Sequence, residues 1–273
     1  MFVHVALVPH IPSSMEELDH MTDIKFANDN LPKKVASFYS INNTQKGLSG
    51  VELGNFLIKR VVEVLRKEPA WNLDTFATLS PLPGFRLWFR LKVMMQIELH
   101  KSNQANHHLD VQMPNKFAEE FVSMCEIKEL AKVFKTHDPA QTLESLLDIL
   151  EGKTWYLDEN LADSLKSVLM KHAAVYLARE KRRGKPLDPV ANFHLSNGAE
   201  MYRLNYLADN SRTVCMTYLQ IKFLIIRKLT QLVALRGCIT AMESWLTIIM
   251  TSQRCIPINR DLNTRVLFLW VMR

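Results

Sequence analysis

The chain has 273 residues but only 8 glycines and 4 cysteines, and no two of the cysteines stand in a C-x-x-C spacing. That spacing argues against a disulfide framework and a zinc ribbon, and a reducing compartment is the default. The opening MFVHVALVPHIP lacks a basic leader and a long enough apolar run for a signal peptide, and reads instead as a strand. No bilayer-spanning run is present either. The longest apolar stretch, Leu229 to Met250, contains Arg236 and Glu243, each costing about 2.5 to 3.5 kcal/mol at a bilayer centre. Neither G-x-x-x-x-G-K-[ST] nor G-x-G-x-x-G occurs, which excludes a Walker nucleotide hydrolase and a Rossmann dehydrogenase. His100, His107 and His108 lie close in sequence with no Asp, Glu or Cys to complete a ligand set, so no metal is expected.

What is present is the balance of a globular protein, with 48% hydrophobic and 23% charged residues. Lys and Arg number 34 against 28 Asp and Glu, giving +6. That sign favours an anionic partner without choosing among a phosphate ester, nucleic acid and a membrane surface. The basic run Arg179-Glu180-Lys181-Arg182-Arg183-Gly184-Lys185 has no interleaved aromatics, so it reads as a solvated helix end rather than a nucleic-acid site.

Periodicity predicts an α+β organisation. Residues 2–8 and 35–41 read as strands, with a weak helix at 16–21 between them. A helix runs from Val51, with Leu53, Phe56, Leu57, Val61, Val64 and Leu65 on one face, to its stop at Pro69. Residues 73–79 form a further predicted strand. Helices are predicted at 85–100, 116–124, 140–150 and 161–182. The region 190–207 reads as β structure, with Asn197-Gly198 as a hairpin turn. Residues 211–250 read as helical.

Three segments carry candidate chemistry. Gln45 to Asn55 is a glycine-bearing turn entering a helix, where free N–H groups and the helix dipole can hold a phosphate; equally, Ser49 and Glu52 form an S-x-x-E capping box. In Thr78-Leu79-Ser80-Pro81-Leu82-Pro83-Gly84-Phe85, Ser80 reads as an N-cap with Pro81 at the first helical position, or as a hydroxyl fixed at a strand end. In Asp188 to Ala199, strand alternation would put His194 on the polar face, an ordinary surface histidine.

Taken in order, the segments VHVAL (3–7), FYSINNTQKGLSGVELGNFLIKR (38–60), LSPLPGF (79–85) and 176–209, with REKRRG, DPVANFHLSNGA and the run from Asn205 to Asp209, resemble the malonyl-CoA decarboxylase family. The likeness spans about residues 1 to 210 and is weakest from 90 to 150. It implies a GNAT-like acyl-CoA-binding domain at 1–210, with a mixed β-sheet, flanking helices and a large helical insertion, followed by a divergent, mostly helical tail at 211–273. It implies decarboxylation of malonyl-CoA to acetyl-CoA and carbon dioxide, a step of fatty acid metabolism, without metal or added cofactor. Ser80 and His194 take the catalytic positions, His194 as donor to carbon and Ser80 as acceptor or relay. Ser49, Gly50, Val51, Glu52, Leu53, Gly54 and Asn55 take the CoA loop, with Glu52 either holding His194 or capping the helix.

This sequence departs from the family pattern at Ser49 and Ser196, where the family has Gln, and at Asp188, where it has Asn. Its start lacks the family's helical oligomerisation domain and opening strands, and its end lacks a peroxisomal S-K-L. The family is homo-oligomeric and found in mitochondrion, peroxisome or cytoplasm. A non-catalytic CoA-binding fragment and a GNAT-type acyltransferase are the alternatives.

Overall fold

The computed structural model describes residues 2–23, 32–42, 53–68, 71–106, 120–152, 154–210 and 222–228. Strand β1 (Phe2–Val8) is followed by helix α1 (Met15–Thr22), β2 (Val35–Asn42), α2 (Leu53–Lys67) and β3 (Thr75–Pro81). Helices α3 (Phe85–Asn106), α4 (Met124–Phe134), α5 (Pro139–Glu151) and α6 (Glu159–Arg179) then form a helical layer. A short hairpin, β4 (Lys181–Arg182) and β5 (Lys185–Pro186), leads to α7 (Pro189–Ser196), β6 (Glu200–Asn205) and β7 (Lys222–Lys228).

The main sheet is mixed, in the order β1-β2-β3-β7-β6. Only β2 and β3 run parallel; the other neighbours are antiparallel. Alternation along the strands gives the sheet two apolar faces. Ala6, Val8, Val35, Ala77 and Leu79 meet Leu18 of α1 on one side. Ala36, Phe38 and Phe76 meet Ile58 and Val62 of α2 on the other, and Phe193 of α7 packs against this second cluster. The helical layer has its own core, from Leu82, Phe85 and Phe89 through Leu143, Leu165 and Tyr176 to Ala191 and Leu204.

Side-chain caps start five of the helices. Ser14, Ser123, Asp138, Asp158 and Asp188 each accept an amide from the first turn, and Pro139 and Pro189 follow their aspartates in the position where a missing N–H costs nothing.

Several expectations change. Residues 190–196 are not strand: Asp188 caps α7, and Asn197-Gly198 ends it, with Gly198 at φ 75° and the Ala199 amide donating to the His194 carbonyl. Gly198 is thus a helix stop rather than a hairpin turn. Ser80 is not an N-cap; it lies in β3, because Pro83 and Gly84 postpone helix α3 to Phe85. The basic run is a helix end only at its start, where Arg179 closes α6 and Glu180 is the C-cap; from Lys181 it forms the β4–β5 hairpin, whose turn uses Arg183 and Gly184 at φ 54° and 76°. No helix precedes Met124 within the described residues 120–123, and α4 begins where one was expected to stop. In the predicted helical tail, residues 222–228 are instead strand β7, inserted between β3 and β6; its β-branched isoleucines suit that place.

Candidate active site

The strands place Ser80 first. β2 and β3 pair only from Val35↔Thr75 to Phe38↔Thr78. Beyond that point β2 runs on against β1 to Asn42, while β3 runs on against β7 to Pro81. The two parallel strands therefore part at their C-terminal ends, and Ser80 lies on the parted stretch. The carboxyl end of parallel strands is the usual place for a ligand crevice in open sheets. By alternation Ser80 shares the face of Phe76, the face covered by α2.

Helix α7 brings the histidine to it. The Oγ of Ser80 lies 3.2 Å from Nε2 of His194, across 114 positions of chain. Both residues are only 3% exposed. Burial pushes the His194 imidazole down to about 4, so the ring is neutral at physiological pH. A neutral imidazole next to a hydroxyl can accept its proton or donate its own N–H. The expectation that His194 is a surface residue is corrected: in a helix, unlike a strand, Ala191 and His194 share one inward face.

One carboxylate joins the two motifs. Asp188 is fully buried. Its Oδ1 accepts from the amides of Val190 and Ala191 at 3.0 and 2.9 Å, capping α7. Its Oδ2 accepts from the Tyr176 hydroxyl at 3.3 Å and, over a long 3.4 Å, from the amide of Gly84, which immediately precedes α3. Burial raises the Asp188 pKa, and the amides oppose the rise. Tyr176, packed between Phe85 and Trp88, has its hydroxyl pushed up by burial, so it stays a donor. The sequence signal for this hub is Asp188-Pro189 ahead of an unbroken helical run, the same cap-and-proline pattern that Ser80-Pro81 presents.

Of the residues assigned to the CoA loop, Ser49, Gly50, Val51 and Glu52 lie outside the described residues. Leu53, Gly54 and Asn55 form the described start of α2. Among the described residues there is no cluster of three or more His, Cys, Asp or Glu that could hold a metal, and no helix is long and apolar enough to cross a membrane.

Fold and site together define an α+β domain built around a buried serine–histidine pair at the open end of two parallel strands. The family model for the malonyl-CoA decarboxylase C-terminal domain matches residues 1–220, and the chain belongs to that family. It is 41% identical over 209 residues to the mitochondrial malonyl-CoA decarboxylase of Rattus norvegicus, covering 77% of this chain and 38% of that one. To the mitochondrial enzyme of Anser anser anser it is 38% identical over 211 residues, covering 77% and 37%. Crystal structures of malonyl-CoA decarboxylase from Rhodopseudomonas palustris and Agrobacterium vitis superpose with TM-scores of 0.57 and 0.58 at 30% and 32% identity. They cover 90% and 88% of this chain, and 46% and 52% of their own. The chain thus spans less than two fifths of the length of these mitochondrial relatives.

Proposed function

We propose that this domain decarboxylates malonyl-CoA to acetyl-CoA and carbon dioxide within fatty acid metabolism, with Ser80 and His194 as the reacting pair, and that its fold is GNAT-like. The single observation that carries the reading is the 3.2 Å contact of these two buried side chains where β2 and β3 part. The family names the substrate class.

The chemistry needs little from the protein. When the carboxylate leaves as carbon dioxide, the electron pair of the broken C–C bond passes to the adjacent carbon and the thioester oxygen, giving an enolate. The thioester carbonyl is itself the electron sink, so the substrate carries its own activating group. The protein must stabilise the developing oxyanion and return a proton to carbon. The O–H of Ser80 and the N–H of His194 are preorganised donors shielded from water, and one such donor is worth about 2.7 to 4 kcal/mol in comparable oxyanion sites.

The neutral ring is not by itself an acid. A bound malonyl carboxylate sets a negative charge beside it and raises its proton affinity, so the ring takes up a proton from solvent as the substrate binds and then gives it to carbon. Ser80 holds the ring by its hydroxyl and relays the hydrogen bond to the thioester oxygen. The parted ends of β2 and β3 offer extended backbone to an amide-bearing thioester arm. The start of α2, from Leu53 to Asn55, with Ser49 to Glu52 before it, supplies amides to the diphosphate.

The test is release of labelled carbon dioxide from malonyl-CoA by the purified chain, with calorimetry for binding and an acetyl-CoA plus amine assay in parallel. Release supports the reading. Binding without release would favour a non-catalytic CoA-binding domain, and acetyl transfer to the amine without release would favour an acyltransferase.

A further inference from the structure

We infer that Asp188 is a positioning residue: by holding Gly84 with one carboxylate oxygen and capping α7 with the other, it sets the separation of Ser80 and His194. The inference rests on the reading of that pair as the reacting groups.

Ser80 is fixed by the sheet, whereas His194 rides on an eight-residue helix. A helix of two turns has little stability of its own, so its ends decide where its side chains point. The C-terminal end is held by the Gly198 turn. The N-terminal end is held by Asp188, whose other oxygen reaches Gly84, four positions beyond Ser80 along a segment stiffened by Pro81 and Pro83. The carboxylate therefore ties the stretch after the serine directly to the helix of the histidine, and Tyr176 braces the same oxygen from α6.

A cap alone would not need this arrangement. Asp158, which starts α6, is exposed and accepts the Leu161 amide, and that suffices to begin a longer helix. Asp188 is fully buried and has donors on both oxygens. Burying a carboxylate is costly unless it is fully hydrogen-bonded, so the second oxygen's contacts mark a demand beyond capping. Positioning is the demand the geometry identifies, since a displacement of about 1 Å between reacting groups can cost about 100-fold in rate.

The test uses the full chain carrying Asp188→Ser or Asp188→Asn, with Ser80→Ala as control. Serine and asparagine cap as well as aspartate, but the serine hydroxyl is too short to serve α7 and Gly84 together, and asparagine turns a donating NH2 toward the Gly84 N–H, so each variant keeps the cap and loses the Gly84 contact. Both variants are expected to fold with KM for malonyl-CoA within about twofold and kcat at least about tenfold lower. The ring NMR signal of His194, assigned by its absence in H194A, reads the same geometry without turnover. Both variants should move it toward the titration of an exposed histidine.

Wild-type kcat and an unmoved His194 signal in either folded variant overturn the proposal. If D188S does not fold, D188N decides: a loss of kcat of about tenfold supports the proposal and wild-type kcat overturns it. Wild-type turnover in Ser80→Ala is a different failure, that of the Ser–His reading, and the His194 signal then decides alone whether Asp188 positions the ring.

Discussion

A methyl group on Gly84 would stand 2.1 Å from the hydroxyl oxygen of Tyr176 and 3.3 Å from its Cζ. The glycine is there because the tyrosine comes that close, on its way to Asp188. Gly84→Ala should therefore cost about 1 to 3 kcal/mol, the range for overpacking a core. Tyr176→Phe removes the nearer atom, so G84A/Y176F should be more stable than the sum of the single variants implies. Urea unfolding of the four proteins measures the coupling; strict additivity would mean that the two residues do not meet.

Acid should unfold the domain well above the carboxylate range. His172 is buried beside Phe89 and Phe121, with Nε2 2.9 Å from the Phe121 carbonyl, and burial, followed by the charge of Lys171, pushes it down to about 3. His194 is pushed down to about 4. Both imidazoles are thus neutral when folded, while the unfolded chain takes up protons below about pH 6.5. Stability is full above that pH and is lost as pH falls toward 4 and 3. Between pH 7.5 and 5 each site should remove about 2 kcal/mol, roughly 4 together. Asp188, whose pKa is raised, works in the opposite sense once pH reaches the carboxylate range. Urea titrations at three pH values test this, and His194→Asn should roughly halve the slope; a flat profile from pH 7.5 to 5 would contradict the buried neutral rings.

Glu126 has two duties. It closes a capping box with Ser123 at the start of α4, and it accepts Lys171 of α6 at 2.7 and 2.8 Å, with both side chains only 14% exposed. Glu126→Ala strips the helix of its box and leaves the lysine charge poorly solvated, a cost of about 3 kcal/mol. Lys171→Ala leaves the carboxylate with its Ser123 donors, and should cost about half as much. Equal melting temperatures for the two variants would show that the box does not matter.

The sheet was largely legible because its strands are rich in Val, Phe and Ile and its α2 stripe is regular. β1 begins and ends where the pattern predicts, and β2 runs one residue further. The site was legible by family likeness and not by local pattern. Ser80-Pro81 and Asp188-Pro189 present the same cap-and-proline signal, and only the residues after each proline tell them apart: Pro83 and Gly84 block a helix after the first, whereas Val190 to Leu195 continue one after the second. Asn197-Gly198 suits a hairpin and a helix stop equally, since both need a residue at positive φ. β7 escaped because its apolar run, Phe223 to Ile226, is only four residues long and sits in a longer stretch that reads as helical, and so short a run does not separate strand from helix. The contact of Asp188 with Gly84 spans 104 positions, and no local rule can see it.

The most direct measurement is kcat for labelled carbon dioxide release from malonyl-CoA by the wild-type chain, Ser80→Ala, His194→Ala and the double variant, with CoA binding measured by calorimetry. Groups that act as a unit are lost together. Each single variant should fall about 100-fold or more while binding CoA, and the double variant should be little worse than either. Wild-type turnover in both single variants would contradict the assignment of Ser80 and His194 as the reacting pair.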